Sequence, residues 1–230
     1  MTEHASRQNT SFPSGGGQAH GYLALPASGS GPGVVVIQEW WGLVGHVRDV
    51  VDRFADAGFT ALAPDLFHGE QTRSPDQAGK LMMALDIDRA ARDLRGAAAH
   101  LAGLDETTSP KVGVVGFCMG GQLALYAGQE HPDLIAAVVD FYGVHPRVTI
   151  EPERYRVPVL AHFGERDHTT PPDVANALVD RLRAAGVDVE AHFYDAGHAF
   201  FNDQRPEVYS EANARLAWER TVEFLRARVR

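Results

Sequence analysis

Short apolar runs alternate with amphipathic segments along this 230-residue chain, and this alternation constrains the fold more than any other feature. A run without polar positions is typical of a strand covered on both faces, whereas apolar residues at helical spacing indicate a helix. The predicted strands cover 33–38, 60–64, 111–115, 135–143, 157–164 and 189–195, and the predicted helices cover 44–57, 74–103 (one or two helices), 122–129, 172–185 and 207–228. We therefore predict an α/β fold, with a mostly parallel sheet of about eight strands and helices on both faces.

The N-terminal part of the chain has a different pattern. Residues 1–8 are polar, and we predict a flexible tail there. The stretches SFPS and AHGYLALP flank a glycine-rich break, which predicts two short strands joined by a turn. The chain shows no repeat or linker after residue 33, so residues 9–230 are predicted to form a single domain.

The composition restricts the classes of partner. The chain is 44% hydrophobic and carries a formal net charge of −9, so it is globular in composition and offers no basic face for nucleic acid. No apolar run approaches the roughly 18 residues of a membrane helix, and the polar N-terminus lacks the apolar core of a secretory signal. The single cysteine excludes an intramolecular disulfide. We predict a cytoplasmic protein that binds neither nucleic acid nor membrane and has no obligate protein partner.

The single cysteine, Cys118, lies in the stretch GFCMGG, between an apolar strand and a predicted helix. The pattern G-x-C-x-G-G is the cysteine version of the G-x-S-x-G nucleophile turn, where a strained residue is exposed between a strand and a helix. The glycines remove side chains that would collide with neighbouring backbone, and the helix N-terminus favours a thiolate. The backbone N–H of Met119 is then placed to stabilise an oxyanion. The alternative is an unreactive buried cysteine, which is common in proteins.

Two residues at later strand ends can complete a triad in the order nucleophile, acid, histidine. Asp167 follows the strand VPVLAHFG in GERDH, and His198 follows the strand VEAHFYD in AGHAFFN. Because the carboxyl ends of parallel strands share one edge of the sheet, we expect these side chains to meet there. Asp167 could instead cap the next helix, and Glu165 and His168 are neighbouring candidates. The histidine and cysteine spacings fit no metal-binding motif, so no metal and no cofactor are predicted.

On these residues, the chain resembles the dienelactone hydrolase family of α/β-hydrolases. The resemblance extends from about residue 20 to residue 228 and rests on the stretches VVVIQEWWG, GFCMGG, GERDH and AGHAFFN. It implies an α/β-hydrolase fold and a cysteine-dependent hydrolase of a small ester or lactone. In that reaction Cys118 forms an acyl-enzyme, His198 moves protons and Asp167 orients the imidazole.

The resemblance implies two further site residues in the stretch QEWWG. In the family a glutamate at the position of Glu39 lies close to the resting cysteine and takes part in its activation. A carboxylate beside the thiol would keep it neutral until substrate displaces it, which limits oxidation. The N–H of Trp40 would complete the oxyanion hole with that of Met119. The alternative for Glu39 is an ordinary loop glutamate.

The chain departs from the family at the substrate. Dienelactone hydrolases hold a substrate carboxylate with two arginines, one of them four residues after the histidine, where this chain has Asn202. The other arginine has no secure match, although Arg73 is nearby. Loss of a paired clamp removes charge-assisted contacts that would select an anionic lactone, and the aromatic residues here lead us to expect an aromatic, less anionic pocket. Its predicted substrate-binding residues are Trp41, Phe67, Tyr142, Phe200 and Asn202; packing in the core is the alternative for the aromatic ones.

Three other functions remain open at this point. One is a ligand-binding or sensing protein on a hydrolase scaffold, because fold alone does not imply function. Another is a peptidase-like enzyme of the serine type, since related folds use GxSxGG. The third is redox sensing at Cys118, which a lone cysteine without a resolving partner supports weakly.

Overall fold

Eight strands form one sheet in the computed structural model, which describes residues 7–230. The strands are β1 (Arg7–Ser14), β2 (Gly17–Ala24), β3 (Gly33–Ile37), β4 (Thr60–Pro64), β5 (Val112–Phe117), β6 (Ile135–Phe141), β7 (Val159–Gly164) and β8 (Val189–Tyr194). They lie in the order β1-β2-β4-β3-β5-β6-β7-β8. β1 pairs antiparallel with β2 and β2 antiparallel with β4, whereas the other neighbours pair parallel. The predicted sheet is therefore confirmed.

Helices cover both faces of this sheet. They are α1 (Gly45–Asp56), α2 (Pro75–Ala84), α3 (Ile87–Ala102), α4 (Met119–Glu130), α5 (Pro172–Ala184) and α6 (Glu211–Arg228), with a 3-10 turn at Pro152–Arg154. α3 and α4 pack against each other on one face. On the other face α1 meets α6, where the rings of Phe54 and Trp218 lie 4.6 Å apart. The buried residues of α1 include Val47, Val50 and Phe54, the helical spacing visible in the sequence.

The structure decides one alternative that the sequence left open and shifts one boundary near the N-terminus. The region 74–103 holds two helices, because Leu85 is extended and the Asp86 side chain accepts a 3.0 Å hydrogen bond from the N–H of Arg89, which caps α3. β1 begins at Arg7, paired with Ala24, so it takes in the last two residues of the predicted tail. The rest of that tail, residues 1–6, lies outside the described residues.

The parallel strands place the candidate site. β3, β4, β5 and β7 are buried along their whole length, as their unbroken apolar runs require. Their carboxyl ends share one edge of the sheet, and the loops after β3, β5, β7 and β8 carry the predicted site residues. Across residues 7–230 we find no helix with the length and apolar character needed to cross a membrane.

Candidate active site

Cys118 occupies a strained turn between β5 and α4. Its φ is 54° and its ψ is −121°, a backbone conformation that L-residues with side chains rarely adopt. Two glycines allow the backbone segments around this turn to approach closely. A Cβ on Gly116 would overlap the carbonyl of Gly120. A Cβ on Gly120 would lie 2.5 Å from the carbonyl oxygens of Ile37 and Gln38. The steric role that the sequence predicted for these glycines is thus visible in the fold.

Backbone hydrogen bonds hold the nucleophile turn in place. The N–H of Cys118 donates to the carbonyl of Phe141 at 2.9 Å, and the carbonyl of Cys118 accepts from Gly121 at 2.9 Å and from Val144 at 3.1 Å. α4 begins at Met119, three residues earlier than predicted, so the sulfur stands at the helix N-terminus, where the dipole favours negative charge. Cys118 is only 7% exposed, so little of its side chain is accessible from solvent.

Asp167 and His198 meet as the triad requires. Nδ1 of His198 lies 2.8 Å from Oδ2 of Asp167, across 31 residues of sequence. The other carboxylate oxygen accepts hydrogen bonds from the N–H groups of Thr169 at 2.7 Å and Thr170 at 2.9 Å, so the carboxylate is fixed from both sides. Asp167 is buried, whereas its neighbours Glu165 and His168 are exposed, which excludes them as the orienting acid in this structure.

The electrostatics of His198 favour the imidazolium. Burial lowers the pKa of His198, but its interactions with Asp167 and Cys118 outweigh burial and raise that pKa to about 10. Its Nε2 is buried and has no hydrogen-bond partner among residues 7–230, so this nitrogen is free to exchange a proton with a reacting group. The side chain is still 20% exposed, which leaves a path to solvent.

Glu39 is buried beside the same edge and is held by Asn202. Nδ2 of Asn202 donates to Oε2 of Glu39 at 2.7 Å, and both side chains are buried. Oε1 of Glu39 has no partner within the described part of the chain. An ordinary loop glutamate would be solvated, so burial with one free oxygen favours the functional interpretation. The charge of Glu39, like those of Cys118 and Asp167, acts to raise the pKa of Tyr142, after burial itself.

The predicted aromatic residues separate into two groups. Tyr142 and Phe200 are fully buried, and the ring of Tyr142 lies 5.0 Å from that of His198 and 5.5 Å from that of Phe200. They pack beneath the histidine and present no surface to a substrate, so the core-packing alternative describes them better. Phe67 lines a separate cavity of about 200 Å³ between α2 and α3. Trp40 and Trp41 stand edge to face, 5.0 Å apart, after β3.

A cavity of about 700 Å³ adjoins Asn202, and we call it the arginine cavity. Its lining is formed by Trp41, Val44, Gly45, His46, Gln71, Thr72, Arg73, Asn202, Gln204 and Arg205. The guanidinium of Arg205 lies 5.4 Å from the ring centre of Trp41 and pairs with Glu207 at 2.8 Å. No acidic side chain among the described residues lines it, although the chain carries net charge −9.

This cavity differs from the aromatic pocket expected from the sequence, although none of Cys118, Asp167 and His198 is among its lining residues. Trp41 and Asn202 do line it, as predicted, but the two arginines stand beside them. Arg205 was missed because it lies three residues past Asn202, the position that the family motif singles out. The stacking of Arg205 on Trp41 joins two loops far apart in sequence, and no local pattern signals it.

Comparisons with known proteins agree with this geometry. The model of the "Dienelactone hydrolase family" matches residues 19–229. "Protein usf" of Aquifex pyrophilus is 38% identical over 95% of this chain and 97% of its own, and the carboxymethylenebutenolidase of Pseudomonas sp. strain P51 is 33% identical over 92% and 91%. Among solved structures, a Klebsiella pneumoniae protein provisionally named a dienelactone hydrolase superposes with a TM-score of 0.87, at 28% identity and over 96% and 98% of the two chains.

A more distant structure marks the limit of the fold comparison. The acylaminoacyl peptidase of Pyrococcus horikoshii has a TM-score of 0.72 at 14% identity, and this chain covers 42% of it. That likeness concerns the fold alone, which is the α/β-hydrolase fold. The family match over nearly the whole chain and the relatives above 30% identity carry the assignment: the chain is a hydrolase that belongs to the dienelactone hydrolase family.

Proposed function

We propose that this protein hydrolyses esters or lactones through an acyl-enzyme on Cys118. The observation that carries the proposal is the ion pair of His198 and Asp167 beside a cysteine in a strained strand–helix turn. The family includes a relative named carboxymethylenebutenolidase, an enzyme whose name denotes a lactone. A pure binding protein has no need of a nucleophile, an acid and a histidine in this arrangement.

Acylation begins when the Cys118 thiol gives its proton to Nε2 of His198 and the sulfur attacks the carbonyl carbon. A carbon–sulfur bond forms while the carbonyl π pair moves to oxygen, and the N–H groups of Met119 and Trp40 are the proposed donors to that oxyanion. As the oxyanion collapses, the carbon–oxygen bond to the leaving group breaks and His198 gives its Nε2 proton to the departing oxygen. In a lactone the leaving oxygen stays attached to the acyl chain.

Deacylation uses the same groups in reverse. Neutral His198 takes a proton from a water molecule whose oxygen attacks the thioester carbon. The carbon–sulfur bond then breaks and the acid leaves, and the Nε2 proton of His198 returns to the sulfur to restore the resting thiol. Asp167 keeps Nδ1 protonated throughout, so that Nε2 always faces the reaction.

Glu39 is proposed to guard the resting thiol. Its free Oε1 can accept the thiol hydrogen and so keep the sulfur protonated between turnovers. Because Asn202 fixes the other oxygen, the carboxylate has a defined position. Substrate must then displace the contact between Glu39 and the thiol.

The arginine cavity supports a substrate that carries a negative group. Arg73 and Arg205 provide two guanidinium groups, of which that of Arg205 also pairs with Glu207 at 2.8 Å, and the buried His46 in the same wall lies 3.3 Å from Asp203. A carboxylate on the acid or alcohol side of the ester could bind both guanidinium groups in a charge-assisted way. We therefore propose small anionic esters or lactones as the preferred substrates, and not the neutral ones that Asn202 alone suggested.

Ester turnover by the wild type and by Cys118→Ala tests the nucleophile. With p-nitrophenyl acetate we expect the variant to lose about a thousandfold or more in kcat, because no other group can form the acyl-enzyme. Equal rates would sink the assignment. Mass spectrometry of the quenched wild type should show one acetyl group on Cys118, the single cysteine of the chain.

The matched control is Ser28→Ala, which removes an exposed hydroxyl from the loop between β2 and β3. It should leave turnover within about twofold of wild type, as surface-side substitutions usually do. Tight binding of esters by wild type without any turnover would favour the ligand-binding alternative and overturn the proposed function.

A further inference from the structure

The helix α2 lies across the end of β5, and the proposed mechanism does not use it. The loop before α2 is attached to the segment after β3, because the N–H of Thr72 donates to the carbonyl of Trp41 at 3.1 Å. The other end of α2 is bonded to Arg147, in the segment after β6. Since β5 lies between β3 and β6 in the sheet, α2 spans the strand end that carries Cys118.

The dimensions of the helix agree with this placement. The ten residues of α2 measure about 15 Å along the helix axis. Two strands that have one strand between them, as β3 and β6 do, lie about 10 Å apart. One helix of this length is therefore long enough to reach from the segment after β3 to the segment after β6.

The side chains of α2 make a small contribution to its anchoring. Ala78 is its single buried residue. The neighbouring Gly79 faces an indole ring, since a Cβ added there would lie 4.0 Å from Cζ3 of Trp40. A cavity of about 200 Å³ lies between α2 and α3. Because helices in proteins are stabilised mainly by packing of a buried face, the position of α2 depends on the contacts at its two ends.

Arg147 holds the C-terminal end of α2. Its Nη1 donates to the carbonyl of Met83 at 2.8 Å and to the carbonyl of Leu85 at 3.1 Å. The last carbonyls of a helix lack partners within the helix and carry partial negative charge, which a nearby cation stabilises. α2 has no basic residue in its own last turn. Arg147 therefore supplies, from another loop, the cation that this helix end lacks.

The segment that carries Arg147 is itself fixed to the nucleophile turn. The N–H of Val144 donates to the carbonyl of Cys118 at 3.1 Å. Three residues later, the N–H of Arg147 donates to Nδ1 of the buried His145 at 3.2 Å. A short hydrogen-bonded segment thus connects the end of α2 to the backbone of the nucleophile.

We infer that Arg147 is a specificity-determining residue, because it holds α2 across the nucleophile and so limits the size of the ester that reaches Cys118. The inference rests on the proposed function, since it concerns access to the same sulfur, which is already 7% exposed. Arg147 is a positioning residue that acts through α2 and does not touch the substrate. When the guanidinium releases the last turn, the cavity beside α3 gives the helix room to move, and longer acyl chains gain access.

The first test compares wild type, Arg147→Met and Arg147→Lys by kcat/KM for p-nitrophenyl acetate and p-nitrophenyl octanoate. Methionine removes the charge and every donor, so the ratio of octanoate to acetate should rise about tenfold in Arg147→Met. Lysine keeps the charge and can donate to the same carbonyls, so Arg147→Lys should stay within about threefold of the wild-type ratio. A ratio in Arg147→Met that equals that of wild type would overturn the inference.

The second test measures access to Cys118 without turnover. Iodoacetamide and the much larger fluorescein maleimide both react with the single cysteine of the chain. The ratio of the rate with the large reagent to the rate with the small one should rise about tenfold in Arg147→Met, as for the two esters. Amide hydrogen exchange in the last turn of α2 should also be faster than in wild type. An unchanged rate ratio would overturn the inference.

Arg156→Met is the matched control. Arg156 is also exposed, and its Nη1 also donates to two carbonyls, those of Glu153 and Tyr155, which lie away from α2. Its two ratios should stay within about twofold of wild type, as is usual for surface substitutions. Ratios like those of Arg147→Met would show a general effect of losing an arginine and count against Arg147. If Arg147→Met does not fold, Arg147→Gln takes its place, with the same expected and contrary results.

These readouts separate the two proposals. Ester turnover by Cys118→Ala tests the nucleophile, whereas the alkylation ratio reports on access even in a protein that hydrolyses no ester offered. The expected alkylation ratios without an acyl-enzyme would leave Arg147 in control of access and overturn the proposed function alone. An acyl-enzyme on Cys118 with unchanged ratios would overturn the role of Arg147 alone.

Discussion

The strand-end triad and the arginine cavity are built in contrasting ways. Cys118 and Asp167 follow the buried strands β5 and β7, and backbone hydrogen bonds fix both, whereas His198 follows the partly exposed edge strand β8. The arginine cavity is formed by loop residues, with Arg73 exposed and Arg205 held by stacking on Trp41. The proposed reaction centre is positioned by the ends of the sheet strands, whereas the proposed binding surface is formed mainly by loops outside the sheet.

This difference indicates that the reaction at the triad and the substrate specificity of the arginine cavity can vary independently. A loop can change its side chains without disturbing the sheet, and Asn202 and Arg205 both lie on the loop before α6. The nucleophile turn has no such freedom, because its glycines touch neighbouring backbone. Changes at strand ends should therefore lower kcat for every ester, whereas changes in the arginine cavity should alter KM for anionic esters.

The largest effect is expected for His198→Ala. Without the imidazole, neither thiol deprotonation nor leaving-group protonation has a catalyst, so kcat should fall by about ten-thousandfold for neutral and anionic esters alike. Steady-state kinetics on matched phenyl acetate and carboxyphenyl acetate measure this. A loss confined to one of the two substrates would break the proposed separation of regions.

Asp167→Asn should have the next largest effect and a distinctive pH profile. The amide cannot hold the imidazolium, so kcat should fall by about a thousandfold. The carboxylate raises the pKa of His198, so its removal lowers that pKa from about 10. The imidazolium is then lost at lower pH, and the alkaline fall in kcat/KM should move downward. An alkaline limb that stays in place would show that Asp167 does not set the charge of His198.

The triad could be predicted from sequence because its signals are local. Glycines at fixed offsets mark the turn, and each partner follows a recognisable apolar strand, so topology alone brings them to one edge. Asp167 and Glu165 are two residues apart, and only burial in the folded chain distinguishes them. The family resemblance implied a site role for Glu39, but not its hydrogen bond to Asn202, which spans 163 residues.

The remaining features depend on packing between distant segments. Tyr142 and Phe200 look like pocket aromatics in the sequence, yet they are core residues, because their loops turn inward beneath His198. Asp140 reads as one polar residue in an apolar strand, and its niche exists only because Gly121 and Gly143 approach from two directions. The sequence left open whether 74–103 holds one helix or two, because Leu85 keeps the apolar pattern while leaving the helix.

Arg205→Gln tests whether the arginine cavity contributes to the binding of anionic esters. Loss of one guanidinium should raise KM about tenfold for an ester with a carboxylate group and leave kcat unchanged, because the contact is the same in ground and transition states. Arg73→Gln should act in the same direction. Arg215→Gln, an exposed residue of α6 that pairs with Glu219, serves as control for a lost surface charge. Equal effects on neutral and anionic esters would remove the arginine cavity from substrate binding.

The smallest and most informative effect is expected at Asn202, which belongs to both regions. Its side chain lines the arginine cavity and also donates to Glu39. Asn202→Leu keeps the size but leaves the buried carboxylate without its donor, so we expect a loss of stability of about 1–3 kcal/mol, measured by urea unfolding. If Asn202 serves mainly the reaction centre, kcat should change by about threefold for both substrate types, while peroxide oxidises Cys118 faster.

The two substrate types decide which region Asn202 serves. A change in KM limited to anionic esters, with the oxidation rate of Cys118 unaltered, would assign Asn202 to the cavity and leave Glu39 without a demonstrated guard function. Asn202→Arg restores the residue that the family places here, and its guanidinium can still donate to Glu39 while adding positive charge to the cavity. This variant should keep the slow oxidation of wild type and lower KM for anionic esters, because the two roles of the position are then met by one side chain.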